Sequence, residues 1–307
     1  MSLPSNISEI RIMIAIVTYN GQEHIERCLD SIQSKANFQI HIIDNDSKDD
    51  TVSLIKGKYP HVHLTQSSDN LGFGIANNLL LSEAITQDMD YVFLLNQDAY
   101  FIEDCIDELL VNAPQSGGSI LSPVHVKKDE KTLDEGFAVY TLNGVNYKQP
   151  EFINAAGWLM PLELIKHVGG FSPLFFHYGE DRDYANRMRY NGYSFRVVKN
   201  AKLVHNREQK QWVNTPENRQ KASYRFFVNI LRYLSDINHS FTYGLVVITK
   251  NTLGDWFKCV LDGNWKLGFS NVWMYFKSYG QFRKILNHRN ITKETYGVFL
   301  VPNDQSL

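Results

Sequence analysis

The sequence predicts an α/β protein with a mainly parallel central sheet flanked by helices. Three observations predict it. Four short strand-like segments recur in the N-terminal third, at residues 11–17, 38–43, 62–66 and 91–95. A continuous apolar run bounded by polar residues, as at 92–95, reads as a strand buried on both faces. Stretches of helical spacing separate the four, such as Ile25, Leu29 and Ile32, so the order is βαβαβαβ and the sheet parallel. Each strand-like segment also stops on a polar or glycine-rich loop: Thr18-Tyr19-Asn20-Gly21, Asp44-Asn45-Asp46-Ser47, Asp69-Asn70-Leu71-Gly72-Phe73-Gly74 and Asn96-Gln97-Asp98. In a parallel sheet these loops share one edge, and open α/β sheets bind ligands beyond the carboxyl ends of their strands.

The remaining elements follow in order. Helices are expected over 22–34, from about 48–50 where acids suit a helix start, over 75–86 and over 103–111. A hairpin is expected across 137–147, centred on Asn143-Gly144, a two-residue turn signal. Residues 155–160 read as a strand or loop entering a short helix at Pro161. A helix over 180–190 stops at Asn191-Gly192. Short strands at 194–198 and 203–205 precede a mainly helical region from about 215.

Composition narrows the function classes. A formal net charge of −2 over 307 residues gives no global attraction to nucleic acid. Cys28, Cys105 and Cys259 lack metal or redox spacing, which fits a reducing cytoplasm. The first ten residues are polar and irregular, unlike a signal peptide. No apolar run approaches the roughly 18 residues of a membrane span.

The loops carry the candidate chemistry. Asp44 and Asp46 suit a ribose hydroxyl or a base edge; helix capping by Asp46 and Ser47 is the plainer alternative. Gly72 and Gly74 permit close backbone approach, as they would in any turn. Asp98 at a strand end can hold Mg²⁺ or Mn²⁺ if diphosphate oxygens complete the shell; alone, a turn residue is the simpler reading. Glu180-Asp181-Arg182-Asp183 opens a helix after the aromatic run Phe175-Phe176-His177-Tyr178. A carboxylate there can serve as a general base, although acids favour a helix start in any case. Arg187 and Arg189 follow as diphosphate or acceptor contacts, or as surface charge. His205 is a candidate partner for Asp98 at a metal.

Taken together, the ordered set resembles the inverting glycosyltransferases of family 2, and within them a bacterial rhamnosyltransferase-like branch. The matching motifs are Ile16-Val17-Thr18-Tyr19-Asn20, Ile43-Asp44-Asn45-Asp46-Ser47 and Asn70-Leu71-Gly72-Phe73-Gly74 with Ala76-Asn77-Asn78. They continue with Leu94-Leu95-Asn96-Gln97-Asp98, Gly169-Gly170-Phe171, Glu180-Asp181 with Asp183, and Arg187, Arg189, Gly192-Tyr193. The resemblance covers roughly residues 10–206. It implies a GT-A fold with a catalytic domain at 10–210, divided into a nucleotide-binding part (10–98) and an acceptor part (99–210). Residues 211–307 form a C-terminal helical appendage.

It also implies roles. Thr18, Tyr19, Asn20, Asp44 and Asp46 line the nucleotide pocket, and the loop from Asn70 through Gly72 to Asn77 closes on it. Asp98 ends the family's DXD-type motif as a ligand of Mg²⁺ or Mn²⁺, and Asp181 is the general base. Asn96, Trp158, Glu180, Arg187 and Arg189 are expected around donor or acceptor. Asn96 stands where strict DXD has an acid, which leaves Asp98 the sole carboxylate of the motif. The reaction expected is transfer from a UDP- or dTDP-sugar to a saccharide or lipid-linked saccharide, with inversion, in cell-surface polysaccharide synthesis. A nucleotidyltransferase would show a basic, glycine-rich loop after the first strand, where Thr18-Tyr19-Asn20-Gly21 stands. A non-catalytic protein of the same fold is the other alternative.

Residues 250–293 hold eight Lys or Arg against Asp255 and Asp262, with nine aromatics including Trp256, Trp265 and Trp273. This pattern suits a helix lying on an anionic membrane, at the cytoplasmic face of the plasma membrane. It equally suits a helical cap packed on the catalytic domain or on a second subunit of a homodimer.

Overall fold

The structure is a computed structural model that describes residues 7–114, 117–142, 150–206 and 213–300. Strands β1 (Arg11–Thr18), β2 (Asn37–Asp44), β3 (His63–Gln66) and β4 (Tyr91–Asn96) alternate with helices α1 (Ile25–Asp30), α2 (Thr51–Lys58) and α3 (Gly72–Thr86). There follow β5 (Ala99–Ile102), α4 (Cys105–Val111), β6 (Ser119–Val126), α5 (Glu135–Leu142), β7 (Gly157–Pro161), α6 (Leu162–Val168), α7 (Glu180–Tyr190) and β8 (Ser194–His205). Helices α8 (Pro216–Ser235), α9 (Phe241–Leu261), α10 (Trp265–Tyr279) and α11 (Phe282–Glu294) complete the described chain.

One eight-stranded sheet runs β3-β2-β1-β4-β7-β6-β8-β5. Its first four strands are parallel, as the βαβ rhythm requires. From β4 outward the sheet is mixed, because β7 pairs antiparallel with β4 and β5 antiparallel with β8. The result is the α/β architecture with a helical C-terminal region that the sequence predicts.

The sheet's two faces explain the continuous apolar runs. Met13, Ala15, Val92 and Leu94 point to one core, with Ala76, Leu80 and Tyr184. Ile12, Ile14, Ile16, Phe93 and Leu95 point to the other, with Ile25, Leu29 and Ile106. Alternate residues of one strand therefore bury on opposite sides, each worth roughly 1.5–3 kcal/mol when fully buried. A third cluster joins Phe175 to Leu231, Leu234 and Ile285 of the C-terminal helices.

Several expectations are corrected. The segment 135–142 is helix α5 and not the first arm of a hairpin; the Asn143-Gly144 turn lies outside the described residues. Residues 194–205 form one strand, whose register slips opposite Pro123 and Val124 and so imitates two short strands in the sequence. Strand β5 was not anticipated, since only Gln97 and Asp98 separate its four residues from β4. Helix α3 begins at Gly72, three residues before the expected start, and draws the glycine loop into its first turn.

Candidate functional site

Register sets the site. Thr18 of β1 lies level with Asp44 of β2, and Val17 level with Asn96 of β4, so three polar strand ends form one ledge. Asp44 is 2% exposed and accepts from the Thr18 hydroxyl at 2.9 Å and from the Ser47 amide at 2.9 Å. The pair therefore ties β1 to the turn after β2, beneath the ledge. Asn20 and Asp46 take left-handed backbone, φ 47° and 66°, which Asn and Asp tolerate. The Asn20 amide donates to Ser47 Oγ at 2.9 Å, and Asn20 Oδ1 accepts from the Lys48 amide at 2.8 Å. Asp46 pairs with the Lys48 ammonium. The side chain of Gln97 bridges to the β1 loop, accepting from the Tyr19 amide and donating to its carbonyl, both at 3.0 Å.

Above the ledge is a cavity of about 690 Å³ lined by Tyr19, Asn45, Asn70, Gly72, Asn96 and Asp98, with Phe176, His177 and Tyr224 opposite. Its size suits a small-molecule ligand. Gly72 (φ +76°) lies so close to the Phe176 carbonyl that a Cβ would come within 2.6 Å of that oxygen, so only glycine closes this wall. Burial, and then the nearby Arg225 charge, push the His177 pKa down.

A second cavity, about 890 Å³, is lined by Asp98, Asp181, Arg182, Arg225 and Arg232 among others. Asp98 thus lies on the wall of both cavities. Its position follows from strand pairing: Ala99 is the register partner of His205, and the Asn206 amide donates to the Asp98 carbonyl at 2.8 Å. His205 Nε2 lies 3.5 Å from Asp98 Oδ1. Cis ligands of an octahedral cation at roughly 2.1 Å stand about 3 Å apart, so this oxygen and nitrogen fit a shared Mg²⁺ or Mn²⁺. Among the described residues no group of three or more His, Cys, Asp or Glu side chains is placed to hold a metal, so ligand oxygens would complete the shell.

Helix α7 begins after Gly179 and carries three acids in its first turn, each in a different setting. Asp181 is half-buried on the second cavity and accepts from the Arg182 amide at 2.7 Å. Glu180 is 8% exposed, and its Oε2 has no hydrogen-bond partner among the described residues. Burial, reinforced by the Asp181 charge, raises its pKa to about 8. Asp183 is buried with Arg187 Nε at 2.8 Å and His288 Nε2 at 3.2 Å. Burial alone would raise the Asp183 pKa, but the charges of His288 and Arg187 hold it below its ordinary value.

Four expected contacts are placed elsewhere. Arg187 donates to the carbonyls of Val168 at 2.8 Å and Gly170 at 2.7 Å and is fully buried, so its guanidinium fastens α7 to the glycine turn and does not face a ligand. Trp158 is 0% exposed among Phe171, Tyr184 and Phe195. Asn77 is 1% exposed and donates to the Phe73 carbonyl inside α3. Arg189 is on the surface, 3.5 Å from Asp236. Sequence reading did not anticipate Gln97 as the loop bridge, or Arg225 and Arg232 as cavity residues. The spacing of Arg225, Asn229 and Arg232, one face of α8, was the only available signal for those two.

Residues 13–159 match the family described as Glycosyl transferase family 2. That stretch is just under half of the chain, and with the relatives below it supports a family 2 glycosyltransferase. An N-acetylglucosaminyl-diphospho-decaprenol L-rhamnosyltransferase of Mycobacterium tuberculosis is 26% identical over 233 residues, covering 63% of this glycosyltransferase and 75% of the relative. The hexosyltransferase Agl10 of low-salt glycan biosynthesis in Haloferax volcanii is 20% identical over 256 residues, 79% and 80% of the two chains. Among solved structures, the mannosyltransferase PcManGT from Pyrobaculum calidifontis with GDP-Man and Mn²⁺ has TM-score 0.55 and 15% identity, covering 95% of this chain and 88% of that one. S. aureus TarS 1-349 with UDP has TM-score 0.53 and 13% identity, covering 78% and 70%. These similarities identify the glycosyltransferase's fold as GT-A.

Proposed function

We propose that this glycosyltransferase moves a sugar from a UDP- or dTDP-sugar to a lipid-linked saccharide, inverting the anomeric centre. The observation that carries this reading is the shared position of Asp98, on the wall of the strand-end cavity and of the cavity that holds Asp181. The strand-end cavity takes the nucleotide, with Tyr19, Asn45 and Asn70 around it. The Asp181 cavity takes the acceptor.

Asp98 and His205 hold the divalent cation, which when bound stabilises the negative charge of the departing diphosphate. Asp181 accepts the proton of the acceptor hydroxyl as that oxygen bonds to the anomeric carbon. The bond from that carbon to the diphosphate breaks on the opposite face, which inverts the configuration. Burial, reinforced by the Asp181 charge, raises the Glu180 pKa to about 8, so Glu180 is not the base of the pair at neutral pH.

The division at residues 98 and 210 follows the same reading: the first part carries the nucleotide, the second Asp181, and the C-terminal helices the acceptor's surroundings. Those helices expose Trp265, Phe269, Trp273 and Phe276, each more than half accessible, so these aromatics are not spent on the catalytic domain. Among the described residues no helix is long and apolar enough to cross a membrane. With Lys258, Lys266 and Lys277 interspersed, the exposed stripe suits an anionic lipid surface on which the acceptor resides.

A thermal-shift panel of nucleoside diphosphates and their sugars, followed by hydrolysis of the best sugar nucleotide without acceptor, tests the function. Stabilisation by a nucleoside diphosphate with slow hydrolysis supports it. No response to any member of the panel overturns it.

A further inference from the structure

We propose that Arg182, Arg225 and Arg232 form a cationic subsite for the diphosphate that links the acceptor saccharide to its lipid. The inference rests on the lipid-linked acceptor proposed above and assigns it a binding site.

Helix α8 delivers two of the three arginines. Thr215 caps its start, accepting from the Asn218 amide at 3.2 Å, and Pro216 occupies the first turn. Arg225, Asn229 and Arg232 fall at i, i+4 and i+7, on one face, and all three line the Asp181 cavity. The helix is pressed against the turn that precedes Asp181. Gly179 (φ +89°) lies so near Val228 that a Cβ there would come within 2.6 Å of Val228 Cγ1. The arginine face is thereby locked beside the base.

The guanidinium groups are preset by aromatic stacking. Arg182 Cζ lies 3.6 Å above the Phe152 ring, and Arg225 Cζ lies 5.0 Å from the Tyr178 centroid with Nη2 3.4 Å from its hydroxyl. Stacking occupies the flat face of the Arg225 guanidinium and leaves its remaining N–H groups for recognition of phosphate. Among the described residues neither Arg225 nor Arg232 forms an ion pair with a carboxylate. The cavity also contains Glu23, Asp98, Asp134, Asp181 and Lys128. Its acids thus come from the body of the catalytic domain, while two of its three arginines project from α8.

The lipid has a path from there. Asn229 and Arg232 also line a groove of about 500 Å³ between α8 and α9, whose walls include Phe226, Ile230 and Ile248. Beyond it α9 exposes Leu253 and Phe257. A saccharide at Asp181, a diphosphate at the arginines and a prenyl chain along the groove toward the apolar stripe fit this order of surfaces. The donor diphosphate belongs to the other side of Asp98.

Isothermal titration of the full-length chain with inorganic diphosphate, in EDTA to suppress cation-mediated binding at Asp98, tests the subsite. The double variant Arg225→Ala/Arg232→Ala is expected to bind at least about tenfold more weakly, ~1.4 kcal/mol. Arg225→Lys/Arg232→Lys should recover most of the affinity. Affinity for the best-stabilising nucleoside diphosphate, measured with Mn²⁺, should be unchanged in both variants, which also reports correct folding. The proposal is overturned if the native chain does not bind diphosphate, or if the Ala variant binds it equally. A parallel loss of nucleoside diphosphate affinity overturns it as well, because the arginines then serve the donor. A parallel loss of sedimentation with phosphatidylglycerol vesicles likewise overturns it, because they then serve a phospholipid headgroup. A chain that hydrolyses sugar nucleotide but fails this titration loses only the subsite. One that binds diphosphate yet gives no response in the nucleotide panel loses the transferase reading.

Discussion

Asp98 and His205 are 107 positions apart in sequence, yet Asp98 Oδ1 lies 3.5 Å from His205 Nε2 because Ala99 and His205 are paired across β5 and β8. If this pair holds the cation, Asp98→Asn should lower transfer on the order of 100-fold or more. It should also abolish the gain in nucleoside diphosphate affinity that Mn²⁺ confers. His205→Gln should reduce the same gain less, since an amide oxygen can still ligate a hard cation. Calorimetric titration with and without Mn²⁺ measures both, and full activity of native protein in chelator would remove Asp98 from this role.

If Asp181 is the base, it acts only on the acceptor, unlike Asp98. Asp181→Asn should cut kcat by roughly 10²–10⁴, the usual contribution of a general base, and leave nucleoside diphosphate affinity unchanged. Single-turnover transfer alongside binding separates the two. Equal loss of both would count against the assignment.

Glu180 links the site to pH. Its carboxyl titrates near 4.5 when exposed and near 8 in the fold. Between those values the folded state holds a proton that the unfolded state has lost, so stability falls as pH rises across the window. Glu180→Gln removes this dependence. Its melting temperature should exceed the native value at pH 8, by roughly 2–4 °C for each kcal/mol relieved, and the excess should shrink steadily toward pH 4.5. A constant difference across that range would show that Glu180 is not held protonated.

The C-terminal stripe makes a separate prediction. Trp265 and Trp273 are 54% and 66% exposed, so replacing them leaves the core intact. Trp265→Ala/Trp273→Ala should weaken co-sedimentation with anionic vesicles about tenfold or more, and salt should weaken the native interaction. If the native chain does not sediment and instead dimerises through these residues, the stripe is a subunit interface.

The parallel half of the fold was legible because β1 and β4, buried on both faces, write near-continuous apolar runs, and each connection is local. The mixed half was not. Strand β5 is only four residues and follows β4 after two, and β8 conceals a register shift that looks like a break. At the site, the strand ends were legible as a set: Tyr19, Asn70, Gly72, Asn96 and Asp98 line one cavity. The acids of α7 were legible as a group but not in their roles, since the same first turn places Glu180, Asp181 and Asp183 in three environments. Arg187 misled because a buried arginine and a ligand-binding one have the same sequence signature. Only the carbonyls of Val168 and Gly170 around it separate the two.

That arginine supplies the last prediction. Asp183 and Arg187 are both 2% exposed, and His288 of α11 stands on the other carboxylate oxygen. Removing one member leaves a buried charge uncompensated, so Arg187→Ala should destabilise the protein by roughly 3–5 kcal/mol. Arg187→Lys should recover little, because an ammonium cannot reach Asp183 and two backbone carbonyls in one plane. Asp183→Asn/Arg187→Met removes both charges and should cost less than the sum of the single changes. Denaturant titration of native protein, Asp183→Asn, Arg187→Met and the double variant gives the coupling. Because Asp183 is two residues from Asp181 and joined to α11, Arg187→Ala should also lower kcat without changing nucleoside diphosphate affinity. A stable, fully active Arg187→Ala would return that residue to the surface role that its sequence first allowed.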